Sequence, residues 1–276
     1  MLDSALKQIT TDGRMYKKLL PILFLLVYAG VCPLAAAPSQ KNARHHRKNE
    51  ETTRPERVEL WQPPGNIRSR DLYYGPGGKA HAPHSTYTFV KEDMSGTNPK
   101  LRVLDENGIK WRVKLGVEAR PETAASRLLW AVGYSTNEFY FLPTLKVGDL
   151  PAHLRRGQEF VGPGGIMRNV EMKRLEKDED KTGAWSWRHN PFSGTREFNG
   201  LRVMMALLNN WDLKDENNAV YEVKQPGEQK EDYRVSDLGA TFGYTGASWR
   251  VVMTRGGVRD YSHSKFITKV NSGFVD

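Results

Sequence analysis

The sequence D-L-K-D-E-N at residues 212–217 is followed, 25 positions after Asp212, by D-L-G at residues 237–239. The first motif reads D-x-K-x-x-N, and both motifs offer carboxylate or side-chain amide oxygens. Such oxygens are the ligands that Mg²⁺ prefers in proteins. A carboxylate can also orient a hydroxyl group for attack on phosphorus. The pair is therefore the part of the sequence on which the candidate site depends.

The segments beside these motifs predict a buried helix and a β-hairpin. Residues 195–209 carry apolar side chains at helical spacing, which is typical of a helix packed in a core. The stretches 220–223 and 233–235 favour strands, and the turn-rich sequence Q-P-G-E-Q-K-E-D lies between them. The helix runs directly into the first motif, and the hairpin leads to Asp237.

Upstream, the sequence predicts an antiparallel meander followed by a helix. The three strands are expected at residues 85–90, 100–104 and 109–115, and Asn107-Gly108 is a strong hairpin turn between the last two. Pro121 suits the first turn of the helix, and Gly133 suits its end.

Two further strands are expected at residues 139–142 and 166–175, the second of which is charged at alternate positions. The polar stretch 176–183 is expected to connect two lobes. The fold class predicted is α+β.

The order of helix, D-x-K-x-x-N loop, hairpin and D-L-G resembles the floor of the active site in the protein-kinase-like fold. Carried over on that resemblance, Asp212 matches the catalytic base, and Lys214 matches a lysine that neutralises the transferred phosphoryl group. Asn217 and Asp237 match the two Mg²⁺ ligands. Asn218 takes the place of Asn217 if the register of the loop differs by one position.

The resemblance extends to the predicted meander, whose third strand ends in W-R-V-K at residues 111–114. Lys114 matches the lysine that binds the nucleotide phosphates, and a glutamate of the following helix is expected to pair with it. Glu122 is the first choice for that partner and Glu118 the second. The loop 93–99, with its single Gly96, would cover the phosphates of ATP. The implied cofactors are Mg²⁺ and ATP.

Several departures from typical protein kinases make the match closer to lipid-kinase-like and other atypical members. Asn210-Trp211 stands where His-Arg is usual, Leu238 replaces a phenylalanine, and no A-P-E segment follows. The chain also resembles a family of uncharacterised exported bacterial proteins that carry W-D-x-K-x-x-N-N and S-D-L-G, over residues 60–276. The architecture expected is two-lobed, with an antiparallel-sheet N-lobe at 59–178 and a short C-lobe at 179–276. Truncation of the C-lobe is favoured over a naturally reduced one.

The N-terminal residues read as a targeting segment. A basic region at 15–18 precedes an apolar run from 19 to 31 and the small residues Ala35-Ala36-Ala37, as in a cleaved signal peptide. Residues 1–37 are therefore expected to be a signal peptide with an upstream extension at 1–14, followed by a disordered basic linker at 38–58. An uncleaved anchor is the alternative, but the apolar run is shorter than the roughly 20 residues of a spanning helix. The protein is expected to be exported, with no stable transmembrane span after cleavage.

Composition removes some classes of chemistry. The single cysteine, Cys32, lies in the signal segment, so disulfides and cysteine-based catalysis are not expected. The net charge of +9 is spread along the chain, so nucleic-acid binding is not expected. Three functions remain open: an atypical Mg-ATP-dependent kinase acting on a protein, lipid or glycan hydroxyl, a catalytically silent kinase-like envelope scaffold, and an α+β envelope binding protein.

Overall fold

The computed structural model describes residues 57–84, 86–175, 177, 179–225, 228–243, 254–264, 269 and 272. The expected signal peptide at 1–37 and nearly all of the expected linker at 38–58 lie outside these residues. No helix within the described ranges is both long and apolar enough to cross a membrane.

The larger of two sheets has six antiparallel strands. Its members are β2 (Tyr87–Asp93), β3 (Lys100–Asp105), β4 (Lys110–Lys114), β5 (Phe139–Lys146), β6 (Val161–Gly162) and β7 (Ile166–Arg174). They lie in the order β2-β3-β4-β7-β5, and β6 pairs with β7. The predicted meander is confirmed, and its Asn107-Gly108 turn is closed by a hydrogen bond from the Gly108 N–H to the carbonyl oxygen of Asp105 at 3.0 Å.

One face of this sheet carries the first hydrophobic core. Leu101 and Val103 of β3, Trp111 and Val113 of β4, and Met172 of β7 are all at most 1% exposed. Their spacing of two residues follows from strand geometry, which sends alternate side chains to opposite faces. The Trp111 indole N–H donates to Asp105 Oδ2 at 2.9 Å, so this buried polar group is satisfied.

Helix α1 (Ala119–Ala131) follows β4. Pro121 and Glu122 lie in its first turn, where a fixed φ and a negative charge both favour the helix. The helix ends before Gly133, which has φ +101°, and a Cβ built on Gly133 would lie 2.1 Å from the carbonyl oxygen of Gln62. Only glycine fits this position.

The second sheet has four strands in the order β1-β10-β9-β8: β1 (Arg57–Glu59), β8 (Glu179–Gly183), β9 (Asn218–Gln225) and β10 (Glu228–Val235). Strand β1 runs parallel to β10, and the other pairs are antiparallel. Helix α2 (Arg196–Leu207) begins at the cap Thr195, whose Oγ1 accepts the Phe198 N–H at 3.2 Å. A short helix, α3 (Val258–Ser262), follows the D-L-G segment.

The second hydrophobic core packs α2 against the β9–β10 hairpin. Phe198, Leu201 and Met205 of α2 contact a cluster that includes Val235 and Leu238, and all five are at most 4% exposed. The helix expected at 195–209 is thus present as Arg196–Leu207, but only one face of it is buried, since Val203 and Leu207 are 66% and 49% exposed. The side chain of Leu238 packs the D-L-G turn against the buried face.

The structure confirms the α+β class but differs from the expected elements in several places, one of which is β5, which continues to Lys146 beyond the expected end at residue 142. The stretch 176–183 was expected to be a polar connector, yet residues 179–183 form β8, which pairs with β9 through Glu179↔Val223 and Lys181↔Tyr221. A polar strand is stable there because its backbone groups are satisfied by the neighbouring strand. The hairpin strands are also eight residues each, longer than the four and three expected, because their polar ends continue the ladder.

Candidate active site

Lys114, the last residue of β4, is the centre of a buried ionic cluster. Its ammonium group contacts Glu122 Oε2, Glu118 Oε2 at 2.9 Å and Asp237 Oδ1 at 3.3 Å. The lysine side chain is only 2% exposed, so these carboxylates replace water around its charge. Residues far apart in the sequence, Lys114 and the D-L-G motif, therefore meet at one point.

The local fold explains why two glutamates reach the same lysine. Glu118 caps the N-terminal end of α1 and Glu122 lies in its first turn, so the two side chains are four residues apart and project from the same side of the helix. Gly116, with φ +98°, turns the chain between β4 and the helix. Both the first and second choices of partner for Lys114 are therefore within ion-pair distance of it.

The charges within the cluster shift pKa values in opposite senses. Burial alone would lower the pKa of Lys114, but the charges of Glu122, Glu171 and Asp237 outweigh it and raise the pKa above its ordinary value. Burial alone would raise the pKa of Asp237, but the Lys114 charge and the Gly239 N–H outweigh it and lower the pKa. Both groups are thus held in their charged forms at neutral pH.

Asp237 differs from the two glutamates because its side chain is 45% exposed. Its Oδ1 atom accepts from Lys114 and from the Gly239 N–H at 3.3 Å. A Cβ on Gly239 would lie 2.5 Å from Glu118 Oε2, so glycine allows the motif to approach α1 closely. The result is a carboxylate fixed at one oxygen and open to solvent at its edge.

Asn217 joins the two polar motifs. Its carbonyl oxygen accepts the N–H groups of Ser236 at 2.8 Å and Asp237 at 3.0 Å, and its side-chain amide donates to the carbonyl oxygen of Asp212 at 2.7 Å. Asn218, the alternative ligand, is fully buried, and its amide donates to the carbonyl oxygen of Trp185. Of the two asparagines, Asn217 is the one in contact with both motifs.

Asp212 and Lys214 form an ion pair at the surface of the same loop. Lys214 Nζ lies 2.8 Å from Asp212 Oδ1, with side chains 66% and 26% exposed. The hydrogen bond from Lys214 and the charge of Asp212 raise the pKa of the lysine. The Asp212 carboxylate is reachable from solvent and connects to Asp237 through Asn217.

The loop 93–99 reaches the ionic cluster through Asn98 rather than through Gly96. The amide of Asn98 donates to Glu118 Oε2, whereas the carbonyl oxygen of Gly96 accepts from Arg156 Nη1 at 3.0 Å. Gly96 has φ +64°, which suits its place in the turn. The loop thus lies beside the cluster, although Gly96 itself contacts a different part of the chain.

Three residues of the site were missed from the sequence. Asn98 and Arg255 both bind Glu118, and Glu171 of β7 lies opposite Lys114 in the β4–β7 register. Charges at alternate positions of the strand 166–175 were a signal for Glu171, but such a pattern usually marks a solvent-facing strand. Nothing in the local sequence distinguishes Asn98 or Arg255 from ordinary loop residues.

The carboxylates of Glu118, Glu122 and Asp237 have ligand atoms within 4.8 Å of one another. The Lys114 ammonium already occupies the space between them, so this group is a lysine site rather than a cation site. The contacts of Asp237 with Lys114 and Gly239 are made by its Oδ1 atom, which leaves Oδ2 available to a ligand. No described residue donates a hydrogen bond to the side-chain oxygen of Asn217. Both are hard oxygen ligands of the type that Mg²⁺ takes.

No protein-family model matches the chain, and no curated protein sequence matches it.

Proposed function

We propose that the chain is an exported, kinase-like phosphotransferase of the atypical type, which uses Mg-ATP and has the two-lobe architecture of that fold. The observation that carries the proposal is the convergence of Lys114, Glu122 and Asp237, with Lys114 Nζ 3.3 Å from Asp237 Oδ1. In kinases a strand lysine paired with a helix glutamate, together with the metal-binding aspartate, must be in place for phosphoryl transfer.

Each residue has a role that follows from its position. Lys114, held by Glu122, would contact phosphate oxygens and offset their charge, while Asp237 and Asn217 would hold the metal. When bound, Mg²⁺ supplies charge neutralisation between the phosphates. The exposed edge of Asp237 supports its role as a metal ligand, and the contact with Glu122 supports the role of Lys114, because it holds the ammonium group 3.3 Å from Asp237 Oδ1.

On the acceptor side, Asp212 would orient the attacking hydroxyl group and take its proton. Its side chain is 26% exposed, and its position is fixed by Asn217 and by the ion pair with Lys214. Lys214 would stabilise the negative charge on the transferred group. The acceptor is a hydroxyl group of a protein, lipid or glycan, and its identity is left to experiment.

The proposal is tested by measuring ADP formation and by intact-mass analysis of the protein incubated with Mg-ATP. Asp212→Asn should lower turnover about 100-fold or more while leaving ATP binding intact, since a general base contributes on that scale. Asp237→Asn should abolish turnover and remove the Mg²⁺-dependent part of ATP binding. Glu216→Gln, an exposed carboxylate in the same loop, is the matched control.

Equal turnover in the wild type and in Asp237→Asn would contradict the proposal. ATP binding with no turnover in the wild type would instead favour the catalytically silent kinase-like scaffold.

A further inference from the structure

The face of the six-stranded sheet that carries Lys114 also carries a row of cations. Arg102 of β3 lies directly opposite Arg112 of β4, and Arg112 lies directly opposite Lys173 of β7. Like charges opposite each other on neighbouring strands destabilise a sheet. The repulsion between these three neighbouring cations therefore has to be offset by negative charge.

The protein itself supplies only part of that counter-charge. Arg102 is paired with Asp93, with nitrogen–oxygen distances of 2.8 and 2.9 Å. Among the described residues, Arg112 has one ion-pair partner, Glu171 at 3.6 Å, and its buried Nε atom has no hydrogen-bond partner. Neither carboxylate oxygen of Glu171 has a hydrogen-bond partner among the described residues, so its contact with Arg112 is long and is not a hydrogen bond.

Lys173, at the end of the row, is bonded to neutral groups. Its ammonium donates to Asn137 Oδ1 at 2.6 Å and to the Tyr221 hydroxyl at 2.8 Å. The side chain is only 7% exposed. Glu179 lies nearby, but it is bound in a bidentate manner by the buried Arg234. Arg112 and Lys173 therefore form a positive pair that the described residues leave largely uncompensated.

These cations line a cleft of about 410 Å³ between the two sheets. Ser95 of the loop 93–99 and Ser236, which precedes Asp237, also line it. The remaining lining includes Tyr221 and two carboxylates, Asp93 and Glu179, which are bound by Arg102 and Arg234. Among the described lining residues, Leu175 is the one aliphatic side chain. Pockets that hold a flat organic ring are mainly apolar or aromatic, whereas hydroxyl groups and guanidinium groups are typical partners of phosphate oxygens.

The cleft lies next to the candidate active site, because residues one or two positions from Lys114 and Asp237 line it. Arg112 and Lys114 are two residues apart on one face of β4, which is about 7 Å along a strand. Ser236 is adjacent to Asp237 in the chain. A linear anion that fills the cleft therefore reaches from the row of cations to Ser236, the residue before Asp237.

We propose that the cleft is a binding site for a phosphate chain, such as an inorganic polyphosphate or the triphosphate of a nucleotide, and that a nucleotide base adds little to binding. This inference rests on the proposed function only in placing the terminal phosphate at Lys114 and Asp237. Binding to Arg112 and Lys173 itself requires neither the metal nor turnover.

The test is isothermal titration calorimetry of the full chain with sodium tripolyphosphate, ATP and adenosine, each with and without Mg²⁺. Tripolyphosphate should bind within about tenfold of ATP, and adenosine should not bind. Arg112→Gln should weaken tripolyphosphate about tenfold, since a charge-assisted hydrogen bond has that effect. The same variant should keep or raise the melting temperature, because it removes a like-charge contact.

Arg168→Gln, an exposed arginine of the same strand as Lys173, is the matched control and should leave binding unchanged. Arg112→Lys, which keeps the charge, should retain most of the affinity.

ATP binding without tripolyphosphate binding, or strong adenosine binding, would overturn the inference and leave the proposed phosphotransferase intact. Tripolyphosphate binding that depends on Arg112 but not on Asp237 or Mg²⁺, together with absent turnover, would support the phosphate site and contradict the phosphotransferase. Binding of neither anion would overturn both.

Discussion

The two faces of the six-stranded sheet are built from the same strands but differ in chemistry and in role. On one face, Leu101, Trp111 and Met172 pack into a core from which water is excluded. On the other face, Arg112 and Lys114 meet charged groups of neighbouring strands and loops. Apolar side chains stabilise the sheet wherever they are buried, whereas charged side chains do so only when matched by partners.

The difference teaches where stability and function separate in this fold. The side chains of the apolar face are buried against other residues of the chain, so substitutions there are expected to affect folding. On the charged face, Lys114 is surrounded by carboxylates, whereas Arg112 and Lys173 have little counter-charge among the described residues. Substitutions of Lys114 and substitutions of Arg112 or Lys173 are therefore expected to affect ligand binding differently.

The largest effect is expected from the apolar face. Trp111→Ala should lower the free energy of unfolding by about 3–5 kcal/mol, because it empties a fully buried site and leaves the Asp105 carboxylate without its indole donor. Urea denaturation followed by circular dichroism measures this. A loss below about 1 kcal/mol would show that Trp111 is not a central part of the core.

The next largest effect is expected at Lys114, which is surrounded by carboxylates. Lys114→Met should lower the free energy of unfolding by about 3 kcal/mol, because it leaves buried carboxylates without their cation.

The double variant Lys114→Met/Glu122→Leu should recover part of the stability lost in Lys114→Met, because the buried pair is then replaced by apolar groups. Its Mg²⁺-dependent binding of ATP should be weaker than that of the wild type. A double variant no more stable than Lys114→Met in urea denaturation would contradict the pairing of these two residues.

A smaller effect follows from Asp93, the counter-ion of Arg102. Burial would raise its pKa, but hydrogen bonds from Ser95, with the charge of Arg102, lower it to about 2. A carboxyl group with a depressed pKa adds stability above its unfolded pKa, near 4, and this is lost as the pH falls towards the folded value.

The free energy of unfolding of the wild type should therefore fall by about 2 kcal/mol more than that of Asp93→Asn between pH 5 and pH 2. Identical pH profiles in urea denaturation would contradict this assignment. At neutral pH the same variant should bind tripolyphosphate more tightly, because it frees Arg102 from its counter-ion.

The smallest effect is a proton taken up when a phosphate chain binds. Burial, followed by the charges of Arg112 and Arg234, lowers the pKa of Lys173 well below its ordinary value. An anion in the cleft opposes that shift, so binding should take up protons and weaken as the pH rises from 7 to 9. The groups that face Lys173 from the packed strands are Arg112, Glu171, Glu179, Tyr221 and Arg234.

Calorimetric titrations in two buffers with different ionisation enthalpies measure this uptake. Lys173→Met should abolish it, and an unchanged uptake in that variant would assign the proton to another group.

Local patterns in the sequence predicted much of the fold. The apolar spacing of 195–209 predicted α2, and the Asn107-Gly108 turn predicted the β3–β4 hairpin, because both depend on neighbouring residues. The parallel pairing of β1 with β10 could not be predicted, since it joins residues more than 170 positions apart. The strand β8 was also missed, because its polar residues are stabilised by backbone pairing rather than by burial.

The candidate site was predictable only where motif order helps. The resemblance brought Lys114, Glu122 and Asp237 together in expectation, and they lie together in the structure. The row of cations was not predictable, because strand register decides that Arg102, Arg112 and Lys173 are neighbours. Register depends on the whole sheet and cannot be inferred from the sequence of a single strand.

The most direct test of the central claim, that Lys114 and Asp237 hold a Mg-bound triphosphate, is a thermal-shift titration with ATP in the presence and absence of Mg²⁺. The melting temperature of the wild type should rise with Mg-ATP, and the Mg²⁺-dependent part of that rise should be absent in Asp237→Asn. Asp180→Asn, an exposed carboxylate of β8, should behave like the wild type. An equal Mg²⁺-dependent gain in wild type and Asp237→Asn would contradict the claim.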